Sequence, residues 1–389
     1  MSTIQASNIK SAASVSNNIV LDASGNAAFA GNVTASGNVT STGMVVPSSS
    51  FLRNRIINGD MRISQRNGTS AGTYGAGAAY WLDRWVNTAT IANNMQVQQS
   101  TVAPAGFNNS TIFRALTGAT IGSSDIFVSQ QMIEGLNVGD LAWGTASAAT
   151  ITVSFWVRSS VTGTFGGSIR NGSVNRSYPF TYSIASADTW TYRTVTIPGD
   201  TTGTWATDNS AGLSLNFDLG SGSTFRGTAG TWAAANFIGA TGSVSPMATN
   251  GATFFLTGVQ LEVGSVATPF ERRQYGQELA LCQRYFQKTF DQATAPAQNV
   301  SGNGGLTASG SVTNVSINAS WWFACPMRAV PTIVTFAPDQ ASANWSDQGG
   351  ARPTAAVTST GQSSVGIRGT GSVLAGGYYI IQATASAEL

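Results

Sequence analysis

The chain has 389 residues, enough for two or three domains with ordinary cores, yet only 9% are charged and the net charge is +2, against roughly 25% charged in ordinary soluble domains. No Lys/Arg cluster reaches the size that a nucleic-acid groove needs, and no apolar run approaches the roughly 18 residues of a membrane span. His is absent, which removes the usual general base, the Ser–His and Cys–His nucleophile pairs and the commonest metal ligand. Two cysteines, Cys282 and Cys325, cannot make a structural zinc site and read as thiols made in a reducing cytoplasm. With ten Trp and 10% aromatics the chain carries enough apolar surface to fold. The composition suits a β-rich, turn-rich protein with a neutral, hydroxylated surface, and low charge permits close self-association.

Residues 1–50 carry two charges, Lys10 and Asp22. Met1 to Asn18 has no apolar h-region and does not read as a signal peptide. Gly25-Asn26, Gly31-Asn32, Gly37-Asn38 and Gly43 mark an internal repeat, and Val33, Val39 and Val45 occupy one position of that hexad. Six steps along a helix scatter those valines, whereas an even period keeps them on one strand face. One copy cannot bury so thin a stripe, but three chains wound together can, so we expect a short trimeric β-shaft. The alternative is a flexible Gly/Ser-type linker.

Residues 51–75 concentrate Arg53, Arg55, Arg62 and Arg66, with a turn signal at Asn58-Gly59. From Ala76 to Ser265 short alternating segments follow one another. Ile151 to Arg158 places Ile151, Val153, Phe155 and Val157 on one face and Trp156 and Arg158 on the other. Trp190 to Ile197 sets Tyr192 and Thr194 opposite Val195 and Ile197, and Leu213 to Leu219 alternates too. Short strands with turn punctuation and no helical period predict a two-sheet β-sandwich. Ala252 to Phe290 then changes from a strand, interrupted at Gly258, to helical spacing. Tyr275, Leu279, Cys282 and Phe286 recur at four, three and four, which predicts a helix over 271–290 burying that stripe. Arg272 and Arg273, beside Glu271 and Glu278, read as exposed ion pairs worth under about 1 kcal/mol each. Residues 291–305 read as a linker, and strands return to the end of the chain.

Several runs carry a resemblance. RIINGDMRISQRNGTS with YWLDRW, DTWTYRTVTIPGDTTGTW and GVQLEVGSVATPFE resemble the jelly-roll, carbohydrate-binding-module-like domain of bacteriophage tail fibres. ERRQYGQELALCQRYFQK resembles the segment that follows that domain, and CPMRAVPT with the terminal AEL resembles the small β-domain that closes many such fibres. The resemblance implies an all-β chain: an N-terminal virion-anchoring shaft (1–50), a jelly-roll β-sandwich (51–270), a connecting helix (271–290) and a small C-terminal β-sandwich (291–389). It implies a homotrimer on a virion, attached through residues 1–50 to a tail or capsid protein and binding a host-surface glycan, with neither nucleic acid nor membrane insertion. No cofactor is expected beyond a structural calcium ion, which modules resembling this one often carry. Asp60, Asp83 and Glu262, from the opening and closing segments of the sandwich, are its candidate oxygen ligands.

Sugar platforms stack an exposed Trp or Tyr on pyranose C–H groups beside polar neighbours. Trp156 with Arg158 is one candidate. Trp321-Trp322 must face opposite ways on one strand, so one ring is core and the other, Trp322, is a candidate. Trp345, in the polar loop ASANWSDQGG, is a third, because loops carry binding residues. Hydrolysis requires two carboxylates some 5–10 Å apart in a groove, and Asp125, Glu134, Asp140, Asp188 and Asp218 stand isolated in no catalytic pattern. We expect a non-enzymatic tail fibre. The alternatives are a head-decoration or vertex fibre and a glycan-degrading tailspike.

Overall fold

The structure is a computed structural model that describes residues 8–9, 19–21, 27–29, 53–300, 302–347 and 352–389. The chain divides into two compact units, residues 1–50 and 51–389. In the first, β1 (Asn8–Ile9), β2 (Ile19–Leu21) and β3 (Ala27–Phe29) pair as an antiparallel three-stranded meander within one chain. The hexad valines Val33, Val39 and Val45 lie outside the described residues.

The second unit begins with two antiparallel six-stranded sheets. In chain order the strands are β4 (Gly72–Thr73), β5 (Gly77–Leu82), β6 (Trp85–Ala89), β7 (Met95–Ser100), β8 (Ser110–Ala115), β9 (Phe127–Glu134), β10 (Ile151–Ser159), β11 (Gly163–Asn171), β12 (Ser177–Ile184), β13 (Thr191–Ile197) and β14 (Ala211–Asp218). The last sandwich strand is β17 (Thr253–Val263), and β15 (Arg226–Gly227) and β16 (Gly239–Ala240) form a short parallel pair between. The first sheet runs β13-β10-β17-β8-β7-β4 and the second β12-β11-β14-β9-β6-β5. This is the β-sandwich that the alternation predicts. Val153, Phe155 and Val157 point inward from β10 and meet Phe165, Phe217 and Phe254, all fully buried. The Phe155 ring packs edge-on to Phe217 and to Tyr182, centroids 5.0 Å apart in each case. Such geometry adds about 0.5–1.5 kcal/mol to the burial itself.

The interruption at Gly258 is a β-bulge. Ser154 opposes Gln260 and Trp156 opposes Thr257, so two residues of β17, Gly258 and Val259, oppose the single Phe155 of β10. Gly258 has φ +61°, and a Cβ there would lie 2.7 Å from the Phe107 ring and 3.0 Å from Trp156. A side chain at that position meets both backbone strain and a clash.

Beyond the sandwich, helix α1 spans Tyr275–Gln283, and eight strands complete the chain: β18 (Phe286–Lys288), β19 (Leu306–Ser309), β20 (Ile317–Trp322), β21 (Thr332–Phe336), β22 (Ser346–Asp347), β23 (Thr354–Thr360), β24 (Ser364–Thr370) and β25 (Tyr378–Ser386). Strand β25 organises this part, since it pairs with β18, β19, β21 and β22, and a second sheet runs β20-β24-β23. Their shared core includes Ile367, Tyr379 and Ile381.

Two expectations need correction. The helix is shorter than 271–290 and turned: Tyr275 is half exposed, Leu279 partly buried, and Phe286 lies in β18. Its buried face is Glu278 and Cys282, continued by Tyr285. Cys282 and Leu279 do pack with Ile57, Ile63 and Tyr285, but Glu278 is drawn in beside them to meet Arg273 and the Asn58 N–H. For the same reason Arg273 and Glu278 are not an exposed pair. Glu278 accepts the Asn58 N–H at 2.5 Å and lies 3.3 Å from Arg273, which also donates to the Ile56 and Asn54 carbonyls. Residues 51–389 form one compact unit, with one hydrophobic core in the sandwich and another among the C-terminal strands.

Candidate functional site

The edge strands β12 and β13 end their respective sheets on the same side of the sandwich. Between them opens a cleft of about 520 Å³, lined by Thr164, Thr181, Tyr182, Ser183, Tyr192, Arg193 and Thr194. That volume lies within the range of ligand pockets, about 300–1,000 Å³. The lining follows from strand alternation. Thr164, Thr181 and Ser183 lie on the outer face of β11 and β12, because Phe165, Phe180 and Tyr182 fill the core between them. Tyr192 and Thr194 lie on the outer face of β13, opposite Val195 and Ile197. Arg193 joins the two edges, its Nε donating to the Ser183 carbonyl at 2.7 Å. The bond occupies one backbone acceptor of an otherwise open sheet edge.

Two features prepare this cleft for a ligand. Tyr192 is 39% exposed, and the Trp156 ring supports it from the neighbouring strand, centroids 5.4 Å apart. Trp156 is itself wedged against Gly258 at the bulge. A rigid aromatic ledge therefore stands beside the hydroxyls of Thr164, Thr181, Ser183 and Thr194. The second feature is Tyr182. Its ring stacks on Phe165, but its hydroxyl is sealed from solvent with no hydrogen-bond partner. Burial holds that hydroxyl protonated, well above the usual tyrosine value. An unpaired buried hydroxyl costs about 1–3 kcal/mol, and this one lies on the core side of β12, so Tyr182 gives the cleft a rigid floor and not a donor.

Of the residues expected from sequence, Trp156 lies behind this ledge. Arg158 does not line a groove with it; its guanidinium reaches Asp188 at 3.2 Å and covers the Phe255 ring at 5.1 Å. Trp322 is 74% exposed on β20, in the C-terminal sheets, while its neighbour Trp321 is buried, as the alternation requires. Trp345 is a correction. It is fully buried in the C-terminal core, against Ile317 and Gly369, and has no surface to offer. A polar loop in the sequence does not reveal that its one large apolar side chain turns inward.

The three candidate calcium ligands each have partners within the protein. Asp83 accepts from the Gln65 amide nitrogens at 2.6 and 3.1 Å and pairs with Arg66 at 3.4 Å. Glu262 is held by Thr268 and Gln260, and Asp60 pairs with Arg62 at 3.2 Å. Among the described residues no group of three carboxylate, Cys or His side chains is placed to hold a metal. The other acids are each tied elsewhere: Asp125 to Thr90, Glu134 to Arg284 and Tyr285, Asp140 to Arg55, and Asp218 to Arg226.

Sequence reasoning missed Tyr182, Arg193 and the threonines. Their alternation was visible, but which two strands would become neighbouring edges was not.

No protein-family model and no curated protein sequence matches the chain. Solved structures similar to it include a putative sugar binding protein from Bacteroides thetaiotaomicron, 13% identical, covering 54% of this chain and 100% of that one at a TM-score of 0.32. The CBM22-1 xylan-binding domain from Paenibacillus barcinonensis is 9% identical over 52% and 99%, TM-score 0.25. A family 11 carbohydrate-binding module from Clostridium thermocellum is 13% identical over 51% and 100%, TM-score 0.25. The sandwich assignment rests on this chain's own two sheets.

Proposed function

We propose that the chain is a non-enzymatic glycan-binding protein whose site is the cleft between β12 and β13. The observation that carries this reading is the pairing of an aromatic ledge, Tyr192 on Trp156, with a wall of hydroxyls in one opening. A pyranose offers an apolar C–H face and a rim of hydroxyls, and the cleft offers a surface for each. Arg193 is the only charged group in the lining, and two of its N–H groups are committed to the Ser183 and Tyr192 carbonyls, so most of the lining that meets a ligand is hydroxyl. No carboxylate lines the cleft, and glycoside hydrolysis generally requires two, so the cleft is a place to hold a glycan and not to cut one.

On the sequence motifs quoted above, the chain serves as a structural fibre of a bacteriophage virion. It assembles as a homotrimer, attaches through residues 1–50 to a tail or capsid protein and meets the host surface through its sandwich. Three weak sites on one fibre raise effective affinity by roughly 10²–10⁴.

Screening the full-length protein on a glycan array, with Tyr192→Ala in parallel, tests the site. Capture of neutral glycans by the wild type and at least a tenfold loss in the variant are expected. Absence of any capture, or capture that Tyr192→Ala leaves intact, would overturn it. Sedimentation velocity tests the trimer, which a monomer at micromolar concentration excludes.

A further inference from the structure

A second hollow lies next to the cleft. Loop 241–245 rests on the outer face of β11: the Val244 N–H donates to the Thr164 carbonyl at 2.8 Å, and the Ser243 side chain packs on Gly166. Thr164 lines the first cleft. On the other side of the same loop, Thr241, Gly242 and Ser245 face Ser221, Ser223 and Arg226 across a cavity of about 340 Å³, with Ile121 in its wall. The loop therefore lies between the two hollows: it lines the second and is bonded, through Val244, to Thr164 at the edge of the first.

The chemistry of the second hollow is that of the first. Ser221 is 1% exposed and its hydroxyl has no hydrogen-bond partner. Ser245 Oγ accepts from Arg226 Nη2 at 2.8 Å, which leaves its own O–H free to donate. Arg226 brings no free charge: its Nε donates to Asp218 Oδ2 at 2.9 Å and its Nη1 to the Ser243 carbonyl at 2.8 Å. With that guanidinium neutralised, the hollow has no attraction for a phosphate or carboxylate, and its serines with Ile121 suit a neutral polyol.

We infer that the second hollow is a further subsite of the same glycan site, so that the protein reads a linear neutral oligosaccharide laid across loop 241–245 rather than a single terminal sugar. This rests on the glycan reading of the β12–β13 cleft. Chain length is then the specificity variable. A disaccharide fills only the Tyr192 side, and a hexasaccharide reaches Ser221.

The test is isothermal titration of the full-length protein with di- and hexasaccharides of the cello-, xylo- and galacto- series. Two variants address the second hollow alone. Ser221→Ala removes a hydroxyl that bonds to nothing in the protein, and Ser223→Trp fills the hollow from an exposed position. The wild type is expected to bind a hexasaccharide more tightly than the corresponding disaccharide. Both variants should weaken the hexasaccharide about five- to tenfold, the loss of one or two hydrogen bonds, and leave the disaccharide unchanged. Tyr192→Ala should weaken both lengths. If both lengths bind and the Ser221 and Ser223 variants match the wild type on the hexasaccharide, the subsite is refuted while the cleft stands. If no oligosaccharide binds the wild type, the glycan reading fails and the subsite with it.

Discussion

The seam between the sandwich and the C-terminal strands and the cleft between β12 and β13 are built from opposite materials. At the seam, Arg84 is 1% exposed, pairs with Glu388 and lies 3.5 Å above the Tyr285 ring. Burial works against its charge, and Glu388 more than restores it. Nearby, Arg66 pairs with Glu388 at 3.0 Å, Arg284 with Glu134 at 2.5 Å and Arg273 with Glu278 at 3.3 Å. Asn58, in the left-handed region at φ +57°, ties Ile63 and Asp83 together through its side chain. This seam is closed. The cleft is open, lined by hydroxyls, and has one charge. In a chain with so few ionisable groups, many of them fasten one part of the fold to another, and the surface offered to a partner is nearly neutral. The motif RIINGDMRISQR with LDRW, the part of the sequence that looks most like a functional signature, is a structural clasp.

The contrast predicts that stability and binding separate by region. Glu278→Ala leaves Arg273 buried and the Asn58 N–H unpaired, and should cost about 3–5 kcal/mol by urea denaturation with glycan capture per folded molecule unchanged. Trp345→Ala should cost about as much, 3–5 kcal/mol, by opening a cavity in the C-terminal core, whereas Trp322→Ala should stay within about 0.5 kcal/mol. Equal costs for the two tryptophans would place Trp345 at the surface after all. At the cleft, Tyr182→Phe removes a hydroxyl that has no partner, so stability should hold or rise by up to about 1–3 kcal/mol. Glycan affinity should be unchanged, because that hydroxyl lies inside the core. A stability loss would mean that it has a protein partner.

The smallest effect is one of pH. Burial works to raise the Asp200 carboxyl, but Arg176, donating at 2.7 and 2.8 Å, and Thr202 overcome it, so the group titrates below the usual carboxylate range. A folded-state value below the unfolded one stabilises above the unfolded value, about pH 4, and that contribution is lost as pH falls through the folded value. Asp200→Asn should therefore lower stability at neutral pH and flatten its decline below about pH 4 in acid titrations of thermal unfolding. An unchanged acid limb would remove Asp200 from that account.

The sequence by itself determined the β-sandwich, because period-two alternation in Ile151–Arg158 and Trp190–Ile197 leaves each strand only one face to bury. It also marked the bulge, where a Gly breaks the alternation of β17, and it assigned Trp321 and Trp322 to opposite faces. Tertiary structure decided the rest. Of the helical stripe Tyr275, Leu279, Cys282 and Phe286, Leu279 and Cys282 found the apolar patch of Ile57 and Ile63, while Glu278 was drawn inward by Asn58, far away in sequence. Trp345 was drawn from a polar loop into a core. The cleft exists only because β12 and β13, each the last strand of a different sheet, end side by side. Alternation fixes which side chains share a face of a strand, but neighbours across a gap follow from topology, which no local pattern encodes.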